Sequence, residues 1–283
     1  MQVVTSIAKM QRVCKAHYRA KHTIGFVPTM GYFHEGHLAL MKKARAENDI
    51  VVVSVFVNPL QFGPNEDFGS YPRDAERDEE LARELDVDYF FYPSSEDMYP
   101  KPLETVLVCK GRVDVLCGKR RIGHFDGVVT VLAKLFNIVF PDFVYMGMKD
   151  AQQVAVIQGF VDDYNIPTII VPVATVRETD GLAMSSRNVY LSAEERREAS
   201  KLYGSLERAK RLARAGERDP AAVLRLVRDE LLQIEGADID YIELYDYPTL
   251  EVVEKLRGEV LLAIAVKFSR ARLIDNVIIE VEL

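Results

Sequence analysis

The chain predicts an α/β protein: a Rossmann-like doubly wound parallel sheet over residues 1–175, followed by a smaller α+β domain over residues 176–283. Three observations carry this expectation. Up to about residue 172, strand-like apolar runs alternate with amphipathic helical stretches, the pattern of parallel strands joined by crossover helices. The run 50–57 is nearly all apolar and β-branched, as a strand covered on both faces should be. After about residue 190 the texture changes to long charged helical stretches and then three strand-like runs.

In chain order, a helix is expected over 5–20 and a first strand over 23–28, the latter on the apolar run Thr23-Ile24-Gly25-Phe26-Val27. A helix over 37–47, on Leu38-Ala39-Leu40-Met41, leads to the strand over 50–57. Helix 73–85, strand 88–92, helix 126–138, strand 143–147, helix 149–163 and strand 168–173 complete the alternation. The later part predicts helices over 192–214 and 219–235, with Ser192 and Glu195 forming a capping box. Strands follow over 240–245, 260–266 and 274–281, and the boundary between the two parts is expected near 174–188.

Composition narrows the function classes. With 48% hydrophobic and 28% charged residues, the 283-residue chain is a globular protein with enough length for two cores. No apolar run reaches membrane-span length, and the first residues lack the basic and apolar regions of a signal peptide. Cys14, Cys109 and Cys117 form no Cys-x-x-Cys pair and leave an odd thiol, which suits a reducing cytoplasm. A net charge of −7 argues against broad nucleic-acid binding.

Two short motifs stand out. The first, Pro28-Thr29-Met30-Gly31-Tyr32-Phe33-His34-Glu35-Gly36-His37, places two imidazoles at a strand-to-helix turn. Glycines there let the chain approach a ligand closely, and a helix N-terminus favours phosphate, to which a histidine pair can add charge. The second, Asp180 to Asn188, offers Met184, two hydroxyls (Ser185, Ser186) and the Arg187 guanidinium, a set suited to phosphate oxygens. Zinc-type ligation is disfavoured: the histidines are three apart and interrupted by glycine, not four apart on one helical face. Alone, the histidine pair is more often a surface or half-buried pair, and the Ser-Ser-Arg run an ordinary polar loop. Together, the first after a strand end and the second at the junction of the two domains, they suggest adenylyl transfer from ATP.

Further segments lie between the motifs: Phe56-Val57-Asn58-Pro59-Leu60-Gln61-Phe62, Tyr71-Pro72-Arg73, Leu116-Cys117-Gly118, Gly123-His124-Phe125-Asp126-Gly127, Gly147-Met148-Lys149-Asp150 and Gln152-Gln153. In that order, they make the chain resemble the pantoate–β-alanine ligase family along essentially its whole length. The His34–His37 segment looks like the "HIGH" signature of the nucleotidylyltransferase superfamily, and Met184-Ser185-Ser186-Arg187 like a "KMSKS" counterpart. Met148 stands where the family usually has Glu or Gln, and Ile122 where it usually has Pro.

The resemblance implies ATP-dependent ligation of pantoate and β-alanine through pantoyl adenylate, releasing AMP and pyrophosphate. It implies ATP contacts from Met30, Gly31, His34, Gly36, His37, Gly147, Met148, Lys149, Asp150, Val176, Met184, Ser185, Ser186 and Arg187. Among these, His34, His37, Lys149 and Arg187 carry the catalysis, His37 as proton donor toward the leaving side. Gly36 would leave room for base or ribose, and Asp150 would bond the ribose, orient Lys149 or simply serve its helix N-terminus. Gln61, Gln153 and Asn58 would bind pantoate or β-alanine, with Asn58 alternatively orienting Gln61. Met30, Phe62 and Val129 are candidates for an apolar wall against pantoate's methyl groups, with core packing the alternative for each. Mg²⁺ is expected with ATP, held mainly by phosphates and water, with Asp78 as an outer-shell partner. Arg121 would serve β-alanine's carboxylate or a dimer contact. A cytoplasmic homodimer is carried over as well, with no nucleic-acid or membrane partner. The rival readings are another nucleotidylyltransferase, which would retain AMP in its product, and a non-catalytic ATP-binding module.

Overall fold

The computed structural model describes residues 1–64 and 66–282. The first part runs β1 (Gln2–Val4), α1 (Ile7–Arg19), β2 (Ile24–Thr29), α2 (Glu35–Glu47), β3 (Ile50–Val55), α3 (Ala75–Glu84) and β4 (Tyr89–Phe91). It continues through two short helices, α4 (Ser95–Met98) and α5 (Leu116–Arg120), then α6 (His124–Val139), β5 (Phe143–Gly147), α7 (Ala151–Asp163) and β6 (Ile169–Val173). The six strands form one parallel sheet in the order β1-β4-β3-β2-β5-β6. Every strand expected from the sequence is present within a residue or two. The edge strand β1 has no counterpart among those expectations; three residues are too few to show a period, and pairing to Tyr89–Phe91 alone defines it.

Chain order reverses between β2 and β5: from β2 the chain passes outward to β3, and later returns to β5 on the other side. Loops leaving these two strand ends diverge to opposite faces, which opens a crevice there. One face of the sheet is covered by α1, α6 and α7 around Phe26, Val52, Val144 and Leu132. The other is covered by α2 and α3 around Val27, Val53, Met41 and Tyr145. Adjacent β2 residues Phe26 and Val27 fall in different cores because side chains alternate across a strand.

The second part holds α8 (Ala193–Ala199), α9 (Lys201–Arg214), α10 (Pro220–Leu231) and an antiparallel sheet of β7 (Asp238–Asp246), β8 (Gly258–Lys267) and β9 (Arg272–Val281). The stretch 192–214 is therefore two helices meeting at Ser200, not one. The expected Ser192–Glu195 capping box is present. Strand β8 is apolar on both faces for a reason the sequence does not disclose. Val260, Leu262, Ile264 and Val266 pack under α9 and α10. Leu261, Ala263 and Ala265 pack against Leu116, Ala151 and Ala155 of the first part. The two parts thus share an apolar seam beside the crevice. Among the described residues, no helix is long and apolar enough to cross a membrane.

Candidate active site

The turn after β2 is built from below. Gly31 takes φ +86°, and a Cβ there would lie 2.8 Å from Val55 and 2.9 Å from Asp78, so only glycine is accommodated. Asp78, 1% exposed on α3, accepts the N–H groups of Tyr32 and Phe33 at 2.6 Å each. This carboxylate fastens the turn and does not line the cleft that holds the histidines. The expected role of Asp78 as an outer-shell magnesium partner is corrected accordingly. Gly31 likewise shapes the turn from the far side and is not a wall of that cleft.

From this turn His34 enters as the N-cap of α2. Its Nδ1 accepts the Gly36 N–H at 3.1 Å, while His37 Nδ1 accepts the His34 N–H at 3.3 Å, a reciprocal capping box made of two imidazoles. A Cβ on Gly36 would meet the His34 ring at 2.8 Å, so glycine is needed here first for the cap. Since both Nδ1 atoms accept, the hydrogen of each neutral ring is assigned to Nε2. Burial, followed by the field of Lys149, holds His34 down to about 4. Burial, followed by His34 and Lys149, holds His37 down to about 3. The pair is neutral in the free protein. It supplies N–H donors, not the positive charge the sequence suggested, and its cap already uses the Gly36 N–H.

The opposite wall comes from β5 and the 3₁₀ turn Met148–Asp150. Gly147, Lys149 and Asp150 line the cleft, whereas Met148 packs into the apolar cores and meets the Tyr247 hydroxyl at 3.7 Å. An apolar residue at 148 is accounted for by that packing, which is the one of its two expected settings that tolerates methionine. Ile122, the second departure, is 88% exposed.

A third wall is the turn Pro59–Gln61 against α6. A Cβ on Gly127 would lie 2.3 Å from the Leu60 carbonyl, so this glycine lets the helix ride directly on the turn. Asn58 is 1% exposed; its Nδ2 donates to Gly127 O at 3.0 Å and Gln61 Oε1 at 3.2 Å. Its Oδ1 accepts from the Tyr99 hydroxyl at 2.8 Å and Leu60 N–H at 3.3 Å. With these bonds made and no surface on the cleft, Asn58 orients Gln61 and is not itself a ligand, which decides between its two expected roles. Gln61 and Gln153 both line the cleft, as do Met30 and Phe62. Val129 does not: it belongs to the core, and α6 turns Val128, Val131, Leu132 and Leu135 to the cleft, one face at helical spacing.

The mouth is closed by the segment 176–190. Val176, Met184, Ser185, Ser186 and Arg187 all line the cleft. Ser185 Oγ caps the turn Ser186–Tyr190 by accepting the Arg187 N–H at 3.2 Å. The Arg187 guanidinium donates to both oxygens of Asp67, at 2.9 and 3.0 Å, and lies over the Tyr71 ring. Ser186 meets the Tyr71 hydroxyl at 3.3 Å. Nothing in the sequence singled out Asp67; its partner lies 120 residues away.

Arg121 and His124 complete the wall. Arg121 forms a bidentate pair with Glu66 at 2.6 Å and approaches His124 Nε2 at 3.0 Å. His124 Nδ1 lies 2.8 Å from the Gln61 carbonyl. Burial, then Arg121, holds His124 down to about 4. In the sequence His124 stands within a motif that gives it no role of its own. Burial also pushes the thiols of Cys14 up to about 12 and Cys109 up to about 11, so neither offers a thiolate at neutral pH.

The inner cleft encloses about 250 Å³ and opens into an outer one of about 760 Å³ between the two parts of the chain. Lys149, Asp150, Gln153 and Arg187 border both. A smaller chamber holding the two histidines, Lys149 and the Gln61 and Gln153 amides therefore adjoins a larger one. Fold and site define a doubly wound α/β protein with a cleft at its topological switch point, lined by two histidines, Lys149 and Arg187. The chain belongs to the pantoate-beta-alanine ligase family, whose model matches residues 2–278. It is 59% identical over 281 residues to a pantothenate synthetase of Geobacillus sp. (strain WCH70), covering 99% of this chain and 100% of that one. It is 58% identical over 282 residues to one of Bacillus thuringiensis subsp. konkukian, covering both chains fully. Among solved structures, pantothenate synthetase from Thermus thermophilus superimposes with a TM-score of 0.94 at 43% identity, covering 99% of this chain and 100% of that one. The pantoate-beta-alanine ligase of Francisella tularensis, complexed with beta-gamma ATP and beta-alanine, gives 0.81 at 35% identity, covering 98% and 97%.

Proposed function

We propose that this chain joins pantoate to β-alanine in two steps within one cleft. A pantoate carboxylate oxygen attacks the α-phosphorus of ATP, the bond to pyrophosphate breaks, and pantoyl adenylate forms. The amine of β-alanine then attacks the acyl carbon, the bond to AMP breaks, the nitrogen loses a proton, and pantothenate is released. The observation that carries this reading is the imidazole capping box. Both Nδ1 atoms are occupied, so two neutral Nε2–H groups are free to donate to phosphoryl oxygen, across from Lys149. Charge grows on the α-phosphoryl oxygens and on departing pyrophosphate, so fixed donors and cations do most of the catalytic work.

In this reading Lys149 neutralises the phosphates and Arg187, with Ser185 and Ser186, takes the β- and γ-phosphates. Gln61 and Gln153 hold pantoate's hydroxyls and carboxylate, and Met30, Phe62 and the α6 face shelter its methyl groups. Residues 1–175 are the substrate-binding domain and 176–283 the covering one. Among the described residues, no cluster of three or more metal-ligating side chains occurs. The donor set suits a hydrated Mg²⁺ carried on the triphosphate, with Asp150 as the carboxylate able to meet it; such an ion would offset phosphate charge. A cytoplasmic homodimer completes the reading, with the oligomeric state open to sedimentation analysis.

The test is partial-reaction chemistry. ATP and pantoate without β-alanine should release about one pyrophosphate per site, and labelled pyrophosphate should exchange into ATP only when pantoate is present. Exchange that requires β-alanine refutes the two-step scheme. A product that retains AMP would assign the chain to another nucleotidyl transfer.

A further inference from the structure

Two adjacent residues on β9, Asp275 and Asn276, are 4% and 8% exposed. They reach out of the second part of the chain into the walls of the cleft. Asn276 Nδ2 donates to two consecutive carbonyls of the 3₁₀ turn, Met148 O at 3.0 Å and Lys149 O at 2.9 Å. Asp275 accepts both arms of Arg177, at 2.7 and 2.9 Å, and also the Asn276 N–H at 2.8 Å. Arg177 in turn donates to Gly181 O at 3.1 Å and lies 3.5 Å from the Tyr203 ring centroid. It sits in a small hairpin, closed by Met184 N–H to Val176 O at 3.0 Å, that runs straight into Ser185-Ser186-Arg187.

We propose that Asp275-Asn276 is a strut that sets the spacing between Lys149 and the Ser-Ser-Arg turn, making Asn276 a positioning residue for adenylate formation. The proposal rests on the reading that Lys149 and Arg187 face the triphosphate. One dipeptide grips both segments, so displacement of either is resisted through the same rigid strand. Stability alone is a weak reason for such a group. A buried ion pair loses in desolvation much of what it gains by attraction, and an apolar pair could occupy the seam at comparable stability. What two N–H donors on successive carbonyls add is a fixed turn, and with it a fixed origin for the Lys149 side chain. Misplacement of a charged group by about 1 Å costs on the order of 10² in rate.

A double-mutant cycle tests the proposal on the whole protein, read as the single-turnover rate of pyrophosphate release from ATP and pantoate. Asn276→Asp keeps the volume and removes both donors; Asn276→Ala serves in the same cycle if the first variant does not fold. Either should slow the step by about 10²-fold with Lys149 present. In a Lys149→Ala background the same change should cost less than about threefold, because a positioning residue has nothing left to position. Thermal unfolding should shift equally in both backgrounds. Equal rate losses in the two backgrounds, or no loss beside an intact Lys149, overturn the strut alone. If Lys149→Ala itself leaves the step unchanged, the reading of Lys149 fails, and the strut falls with it.

Discussion

His37→Ala should lower kcat by roughly 10²- to 10³-fold, and the size follows from the capping box. The ring's Nδ1 is committed to the His34 N–H at 3.3 Å, so Nε2–H is the group left for a phosphoryl oxygen. Loss of one preorganised donor from a site shielded from water typically costs about 3–4 kcal/mol of transition-state stabilisation. The lost cap costs about 1 kcal/mol of stability, too little to unfold a domain of this size. The structure also specifies the protonation state. Burial, His34 and Lys149 hold His37 down to about 3, so the free enzyme carries a neutral ring throughout the neutral range. The pH profile of kcat/KM for ATP, which reports the free enzyme, should therefore have no acid limb near 6.5 arising from His37. Rapid-quench measurement of AMP formation across pH, on parent and variant, decides it. A limb near 6.5 in the parent that vanishes in the variant would show that His37 titrates near its ordinary value and refute the reasoning.

Arg187→Ala should slow pyrophosphate release strongly yet convert supplied pantoyl adenylate at close to the parent rate, since pyrophosphate has already left; equal losses in the two half-reactions would refute a phosphate clamp. Asp67→Asn should lower the KM for ATP by a fewfold, because the guanidinium then need not exchange a carboxylate for phosphate; an unchanged KM would show that the pair is kept on binding. Asn58→Ala should raise the KM for pantoate about tenfold by freeing the Gln61 amide, with the KM for ATP little altered. Acidification should destabilise the unliganded protein: His34, His37 and His124 are held down to about 4, 3 and 4. Below the ordinary value of 6.5 the unfolded chain binds protons that the folded chain does not, so stability is lost as pH falls from 7 toward 5. Calorimetry of His34→Asn/His37→Asn should show a shallower fall in Tm over that range, and an identical slope would contradict the neutral assignment.

Much of this molecule was legible without coordinates because its signals are local. The crossover strands announce themselves by apolar runs of four to eight residues, and β5 falls where its sequence places it. The cleft-lining segments are contiguous motifs, and His34, His37, Gln61, Lys149, Gln153 and the Ser-Ser-Arg turn all meet at one cleft. Where position along the chain left a role open, direction decided it. Asn58, Asp78, Met148 and Val129 lie beside true cleft residues in sequence, yet point into turns or cores. A neighbour one position along a helix or turn faces elsewhere, and only the packed structure says where.

The sequence by itself therefore determined the crossover strands, most of the helices, the family and the chemical groups gathered at the switch point. Tertiary structure decided what state and company those groups keep. Neutral imidazoles arise from burial beside Lys149. The Arg187–Asp67 pair spans 120 residues, and the Asn276 grip on Lys149 O spans 127. Periodicity reports which face of an element is apolar, a property of neighbours along the chain. Protonation and long-range pairing depend on distance and desolvation between segments remote in sequence, which exist only once the chain has folded.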